Sequence, residues 1–359
     1  MTWVKLSAAT SFLLLPFMVM AQPNGHAQER DSIPPVVIGG FVDSYFSWNG
    51  ARPTSHVNRF RNFDLTENQF VLSEAQVDIE RRAAPIGFHI ALNTGAASDI
   101  IHAGNTSTLN LLMQGFVSLM VPVGAGLTVD AGKFVTHMGF ETINAKDNFN
   151  YSRSFLFAWA IPYYHVGVRA AYPLLEQLLI GASMSNGWNA ASVQNGKTFG
   201  ATLAYTPVHN FSFSANWIGG PGQSDSLNAP FRQIAEVISS VRIAEHFTVV
   251  ADALYGVEKV PGQYVAWKGG AVYGRYAVTE NSAISLRGEI YDDPHGFTTG
   301  FIQTLKEITL TYEHKVLENM LVRVEYRHDR SNVSVFDGSG GNGTEFQQNT
   351  IALSGIVAF

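Results

Sequence analysis

The chain contains no cysteine, which excludes disulfides, thiolate metal sites and cysteine nucleophiles and is compatible with an oxidising compartment. Charge is scarce as well. Asp, Glu, Lys and Arg make up 14% of the 359 residues, against roughly 25% in ordinary soluble domains. The net charge is −6 and no basic stripe is present, so no nucleic-acid partner is expected. Long apolar runs are missing too: after residue 20 nothing reaches the length of about 18 residues needed to cross a membrane as a helix. There is no Gly-x-Ser-x-Gly elbow and no His-Glu-x-x-His pair, so no catalytic residue, metal or cofactor is expected.

What is present fits one architecture. Aromatics reach 12% and glycine 33 residues, while mean hydropathy stays near zero. A transmembrane β-barrel has this composition, because apolar and polar positions alternate along every strand and average out. The final ten residues show the pattern most clearly. Ile351, Leu353, Gly355, Val357 and Phe359 share one strand face; Thr350, Ala352, Ser354, Ile356 and Ala358 share the other. A soluble domain rarely leaves such an apolar strand as a free edge, whereas a barrel that pairs its last strand with its first has no edge.

Residues 1–21 read as a signal peptide, with Lys5, an apolar stretch from Leu6 to Met20, and cleavage after Ala21 or Ala27. Residues 22–35 are expected to form a periplasmic N-terminal segment and 36–359 an all-β, antiparallel, up-and-down barrel. Period-two segments recur from Val36 onward, giving about sixteen strands. The segment 71–80 sets Val71, Ser73, Ala75, Val77 and Ile79 against Glu74, Gln76, Asp78 and Glu80. The segment 111–121 sets Met113, Val117 and Leu119 against Gln114 and Ser118. In 233–242, Glu236 falls on the same face as Ile234 and Ile238, which calls for a bulge or a shifted register. Connections alternate between short ones, such as 122–126 and 207–210, and long ones, such as 49–69 and 134–164. That asymmetry assigns the short turns and both termini to the periplasmic side.

Inward charges set the field inside a water-filled lumen. One inward patch is acidic: Glu74, Asp78 and Glu80. A second mixes signs: Arg287, Glu289, Glu307, Glu313, Arg323, Glu325 and Arg327, with Arg169 inward elsewhere. Facing each other across the pore, the two patches would impose a transverse field; the plainer alternative is that these charges pair among themselves. The long aromatic connection 134–164 is expected to fold inward and narrow the pore, with Glu141, Lys146, Asp147 and Arg153 near the constriction. A surface cap is the alternative. Glu141, Asn144, Asp147 and Asn148 offer oxygen ligands, but their spacing matches no calcium loop. His328 and Asp329 near Ser331 point to opposite faces of a strand and make no catalytic pair.

Several stretches resemble the beta-barrel porin-2 (OmpL-like) family of Gram-negative outer-membrane proteins. They are Gly132–Glu141, Asp147–Ser154, Ser185–Asn189, Lys197–Gly200, Tyr291–Asp293 with Gly296–Gly300, and Glu325–Ser331. One departure is Gly219-Gly-Pro-Gly222, where an acidic residue is expected after the proline. The resemblance implies a porin exported through the periplasm to the outer membrane. The expected function is passive diffusion of small hydrophilic solutes. A substrate-specific channel, for sugars or other small nutrients, and a structural or adhesive barrel with a plugged pore are the alternatives. Expected partners are outer-membrane lipid, the solutes themselves and the barrel-assembly machinery, which in barrel proteins generally reads a terminal aromatic such as Phe359. A homotrimer is expected by analogy with porins.

Overall fold

The computed structural model describes residues 33–103, 108–192, 196–222 and 230–359. The signal peptide and nearly all of the 22–35 segment lie outside the described residues. From Val37 the chain runs as antiparallel strands joined in sequence: β1 (Val37–Asn49), β2 (Phe70–Arg81), β3 (Ile86–Thr94), β4 (Leu112–Val121), β5 (Leu127–Val135), β6 (Tyr164–Leu175), β7 (Leu178–Ser185) and β8 (Thr198–Val208). There follow β9 (Phe211–Pro221), β10 (Phe231–Ala244), β11 (Phe247–Val260), β12 (Gln263–Thr279), β13 (Ser282–Asp293), β14 (Gln303–Leu317) and β15 (Met320–Ser331). A small hairpin, β16 (Phe336–Gly338) and β17 (Gly341–Glu345), precedes β18 (Gln347–Ala358). The hairpin stands apart; the other sixteen strands close into one barrel, with β18 between β15 and β1.

Closure is made by the chain's last residues. Register partners run from Phe41 with Ala358 to Asn49 with Thr350. Beyond them Gly40 and Phe359 each donate an N–H to the other's carbonyl, at 3.2 and 3.0 Å. Glycine is required there: a Cβ on Gly40 would stand 2.5 Å from the Gln76 carbonyl oxygen and 2.8 Å from the Phe359 ring. Outward positions are apolar and exposed, as on β14, where Ile308, Leu310 and Tyr312 alternate with the inward Glu307, Thr309 and Thr311. Outward aromatics gather toward both ends of the wall: Trp48, Phe70, Phe199 and Tyr255 on the loop side, Tyr205, Tyr276, Tyr312 and Phe359 on the turn side. Such belts suit rings that sit between hydrocarbon and headgroups. Among the described residues no helix is long and apolar enough to cross a membrane.

Three strands depart from the simple alternation. In β2 the register passes from Asp43–Glu74 to Ser44–Leu72, leaving Ser73 as an extra residue. Ser73 and Glu74 therefore both turn inward and Leu72 turns out, so Ser73 does not belong to the lipid face. In β4 the register passes from Ala91–Gln114 to Leu92–Leu112. Met113 is thereby turned inside and buried, rather than sharing the outer face with Val117 and Leu119. Both are β-bulges, which re-aim a side chain at the cost of local pairing. In β10 the opposite holds: pairing with both neighbours is unbroken from Arg232 to Val241. Ile234, Glu236 and Ile238 all point inward. No bulge is needed there, because the inner face of β10 meets protein instead of water.

That protein is the 136–163 connection, which lies within the barrel. It contributes Met138, Phe140, Ile143, Phe149, Phe155, Leu156, Phe157, Ala160 and Ile161 to a core shared with Ile234, Ile238, Val250, Leu254, Trp267 and Tyr273 of the wall. The hydrophobic core of this molecule is inside its lumen.

Candidate pore

The loop's base is closed by the Thr136 N–H donating to the Tyr163 carbonyl at 3.0 Å. From there it crosses the inner wall strand by strand. Gly139, at a positive φ of 92° that favours glycine, donates its N–H to both carboxylate oxygens of Glu236, at 3.0 and 2.9 Å. Phe140 packs on Tyr273 with ring centroids 4.8 Å apart. Glu141 accepts from Arg287 at 2.6 Å and from the Ser154 N–H at 2.7 Å, which ties the outgoing limb to the returning one. At the tip, Asn148 receives the Thr142 N–H and donates back to the Thr142 carbonyl, both at 2.8 Å.

The returning limb is held the same way. Glu325 accepts the N–H groups of Tyr151 and Ser152 at 2.6 and 2.9 Å. Glu289 accepts those of Phe155 and Leu156 at 2.7 and 2.6 Å. Arg323 donates to the carbonyls of Ala145 and Asn148, Arg287 to that of Ser152, and Arg327 to that of Arg153. Arg153 itself turns back on the loop, donating to the carbonyls of Thr142, Tyr151 and Ile143. The chemistry is consistent throughout: wall carboxylates take loop N–H groups and wall guanidiniums take loop carbonyls. A loop in a lumen carries many main-chain groups that water no longer reaches, and leaving one unpaired costs about 1–3 kcal/mol. The wall charges remove that cost, and the loop and the Arg287–Glu307 pair at 2.6 Å in turn offset the desolvation of the charges.

This placement corrects the reading of those residues as groups facing an open, water-filled pore. Glu74, Arg153, Arg287, Glu289, Glu325 and Arg327 are buried and lie away from the open cavity. Glu141, Arg169 and Arg323 are also buried but border it. Arg169 pairs with Asp130 at 2.9 Å and stacks over Phe134. The acidic and mixed-sign patches are not opposed across the lumen either. Only β1 and β18 separate β2 from β15 in the ring, so the two patches are neighbours. His328 points outward to Asn349 at 2.8 Å and Asp329 inward to Arg327 at 2.6 Å, so they are not partners.

The space left open is a vestibule of about 1840 Å³. Its roof is the loop from Phe140 to Phe149; one wall is the inner face of β2–β6 at Gln76, Glu80, His89, Gln114, Phe116 and Arg169. Its mouth reaches the turns at Asn210, Glu245, Glu280 and Glu318. Lys146 and Asp147 stand at the loop tip as a partly exposed pair 2.8 Å apart. Asp78, also partly exposed, is held by His89 at 2.9 Å. Where the loop leaves β5, burial pushes His137 down to about 4, so its ring is neutral beside the Trp217 carbonyl at 3.2 Å.

The first long connection, 49–69, also packs into the loop-side end of the barrel, where the sequence suggested only an ordinary loop. Arg61 is buried and bridges Asp64, Asp329 and Thr350. Phe60 meets Trp159, Phe301 and Phe336 edge to face. The available signal was the alternation Arg59-Phe60-Arg61 and Phe63-Asp64, too charged and too aromatic for a solvated tip.

The sequence pattern of the family described as "Putative beta-barrel porin-2, OmpL-like" matches residues 35–359, and the chain belongs to this family. No curated protein matches the chain. Among solved structures it is similar to an anion-selective porin from Comamonas acidovorans, with 12% identity, a TM-score of 0.63, and 90% of this chain and 99% of that one covered. It is also similar to the outer-membrane channel DcaP of Acinetobacter baumannii, with 14% identity, a TM-score of 0.61 and coverage of 92% and 98%. A third is OmpT of Vibrio cholerae in its trimer form, with 11% identity, a TM-score of 0.60 and coverage of 91% and 100%. These similarities establish a porin barrel, and the family places it in the bacterial outer membrane.

Proposed function

We propose that this barrel conducts small hydrophilic solutes passively, and that the narrowest part of the route runs between the loop tip and the inner wall of β2–β6. The observation that carries the reading is the vestibule, which is polar on the β2–β6 side and bounded above by the stapled loop. Lys146 and Asp147 on the tip, and Glu80 on the wall, are the charges a solute meets there; Asp78 acts through His89, which it holds at 2.9 Å. The buried charges Glu141, Arg153, Arg169, Arg287, Glu289, Arg323, Glu325 and Arg327 hold the constriction's shape. They act on selectivity through that shape, as does Glu74, which receives a hydrogen bond from Asn93 at 2.9 Å.

Planar-bilayer recording tests this directly. Wild-type protein is expected to give an unsaturable conductance, and deletion of Asn144–Asn150 to raise it; an unchanged conductance would sink the constriction. Conductance blocked by one class of solute would favour a substrate-specific channel. The aromatic cluster of Phe60, Trp159, Phe301 and Phe336 favours a second reading, a barrel closed on its loop side. Silent wild-type protein beside a conducting loop deletion would decide for it.

OmpT of Vibrio cholerae has a solved trimer form, and a homotrimer is proposed for this chain. Native mass spectrometry of the detergent-extracted protein would settle the number. Residues 1–21 are proposed to direct export, and the exposed terminal Phe359 to be read by the barrel-assembly machinery. Its deletion is expected to lower surface levels more than the conductance of each assembled channel.

A further inference from the structure

We propose that the outward rim of β14 and β15, at Lys306 and Arg330, binds a phosphate group of an outer-leaflet lipid. The two residues are register partners on adjacent strands, and both are exposed on the outside of the barrel. They lie near the loop-side ends of their strands, one outward position above Ile308 and two above Tyr326. The outer wall beneath them is apolar: Ile308, Leu310 and Val324 are each about half exposed, at 48%, 48% and 47%. Cations directly above an apolar wall at that end of a barrel face the headgroups of the outer leaflet.

Two like charges directly opposite each other across a strand pair repel and destabilise the pair. Several inward arginines are neutralised by carboxylates: Arg232 by Glu258, Arg275 and Arg323 by a shared Glu313, and Arg287 by Glu141 and Glu307. Among the described residues neither Lys306 nor Arg330 forms an ion pair. The nearest outward carboxylate, Asp292 on β13, is taken by Thr304 at 2.9 Å and by Lys268 at 3.8 Å. Adjacent strands stand about 4.8 Å apart, a spacing at which one phosphate can accept charge-assisted bonds from both side chains. The apolar strip below fits acyl chains, which a free phosphate ion does not carry. The site is outside the lumen, so it stands whether or not the barrel conducts.

The test uses full-length protein in detergent, titrated with lipid A (a bis-phosphorylated glucosamine lipid) and read by native mass spectrometry. Folding is checked by heat-modifiable gel mobility. Wild-type protein is expected to retain the lipid, and the K306Q/R330Q variant to bind it about thirtyfold more weakly, from two cations near a membrane surface. Arg330→Glu, which turns the repelling pair into an attracting one without harming the fold, is expected to lose the lipid equally. Lys259→Gln, an exposed cation near the same rim, is expected to change nothing. Wild-type retention by either rim variant would overturn the site. Equal binding of a dephosphorylated analogue, or displacement of the lipid by inorganic phosphate at equal concentration, would overturn the assignment to a phosphorylated lipid.

Discussion

The covered and uncovered parts of the inner wall use their polar side chains differently. From β10 to β15, Glu236, Glu289, Glu325, Arg287, Arg323 and Arg327 hold the main chain of the 136–163 loop and are buried. Where that loop does not cover the wall, Gln76, Glu80 and His89 on β2 and β3, and Arg242, Arg275 and Glu313 toward the turn-side ends of β10, β12 and β14, line the vestibule. Side chains that look equivalent in the sequence, inward and charged on alternate strand positions, therefore do two jobs. Those the loop covers fix a shape, and those it leaves uncovered face the route. Inward orientation alone does not make a residue pore-lining; what covers it decides.

The largest effect is expected at Arg287. It is fully buried and serves Glu141, Glu307 and the Ser152 carbonyl. Arg287→Ala removes one partner from buried carboxylates, a change that costs about 3–5 kcal/mol. The variant is expected to lose its folded gel mobility at a clearly lower temperature than wild type, and to give larger, noisier single-channel steps. If it unfolds like wild type, the wall charges do not hold the loop. Glu325→Gln is the milder version. The carboxamide keeps one acceptor for the Tyr151 and Ser152 N–H groups but brings a second donor toward them, so a loss of about 1–3 kcal/mol is expected.

How far the sequence foretold this contrast depends on what each strand faces. Strands β13, β14, β15 and β18 have lipid outside and polar groups inside, so their two faces differ sharply and the alternation is legible. The parity of short turns and long loops was legible for the same reason, since it follows from the up-and-down path. On β10 the inner face shares a buried core with Met138, Phe140 and Phe157, so Ile234 and Ile238 are apolar for a reason that lies about a hundred residues away in the chain. Periodicity cannot carry that information. The bulges at Ser73 and Met113 were hidden as well, because one extra residue shifts which face each later side chain takes while leaving composition unchanged. The inward fold of the loop could be expected from its aromatics, but its partners could not.

Acid probes the loop's anchor at its root. Burial lowers His137 from 6.5 to about 4, so the folded protein holds this ring neutral while the unfolded chain protonates it near 6.5. The folded state then binds fewer protons, and its stability falls as pH drops. The contribution is full above about pH 6.5 and is lost progressively as pH falls through 4. The temperature of the gel-mobility transition is expected to decline across that window in wild type and to decline less in His137→Gln. An identical decline in both would assign the acid sensitivity elsewhere.

The smallest effect on stability, and the most telling about the route, is expected at Lys146. Its side chain is one-third exposed and pairs with the adjacent Asp147. Exposed substitutions of this kind change stability by no more than about 0.5 kcal/mol, so Lys146→Glu should unfold at the wild-type temperature. Charge near a narrow aqueous passage, by contrast, acts directly on which ions enter. Reversing the charge at Lys146 places two carboxylates at the loop tip, in a cavity that Glu80 also lines, and the reversal potential in a salt gradient is expected to move toward cation preference. Arg327→Gln makes the opposite comparison: it removes a positive charge buried behind the loop, so it is expected to lower stability and leave the reversal potential nearly where it was. If Lys146→Glu leaves the reversal potential unmoved and Arg327→Gln shifts it, the route runs on the other side of the loop, and the roles assigned to the covered and uncovered parts of the wall exchange.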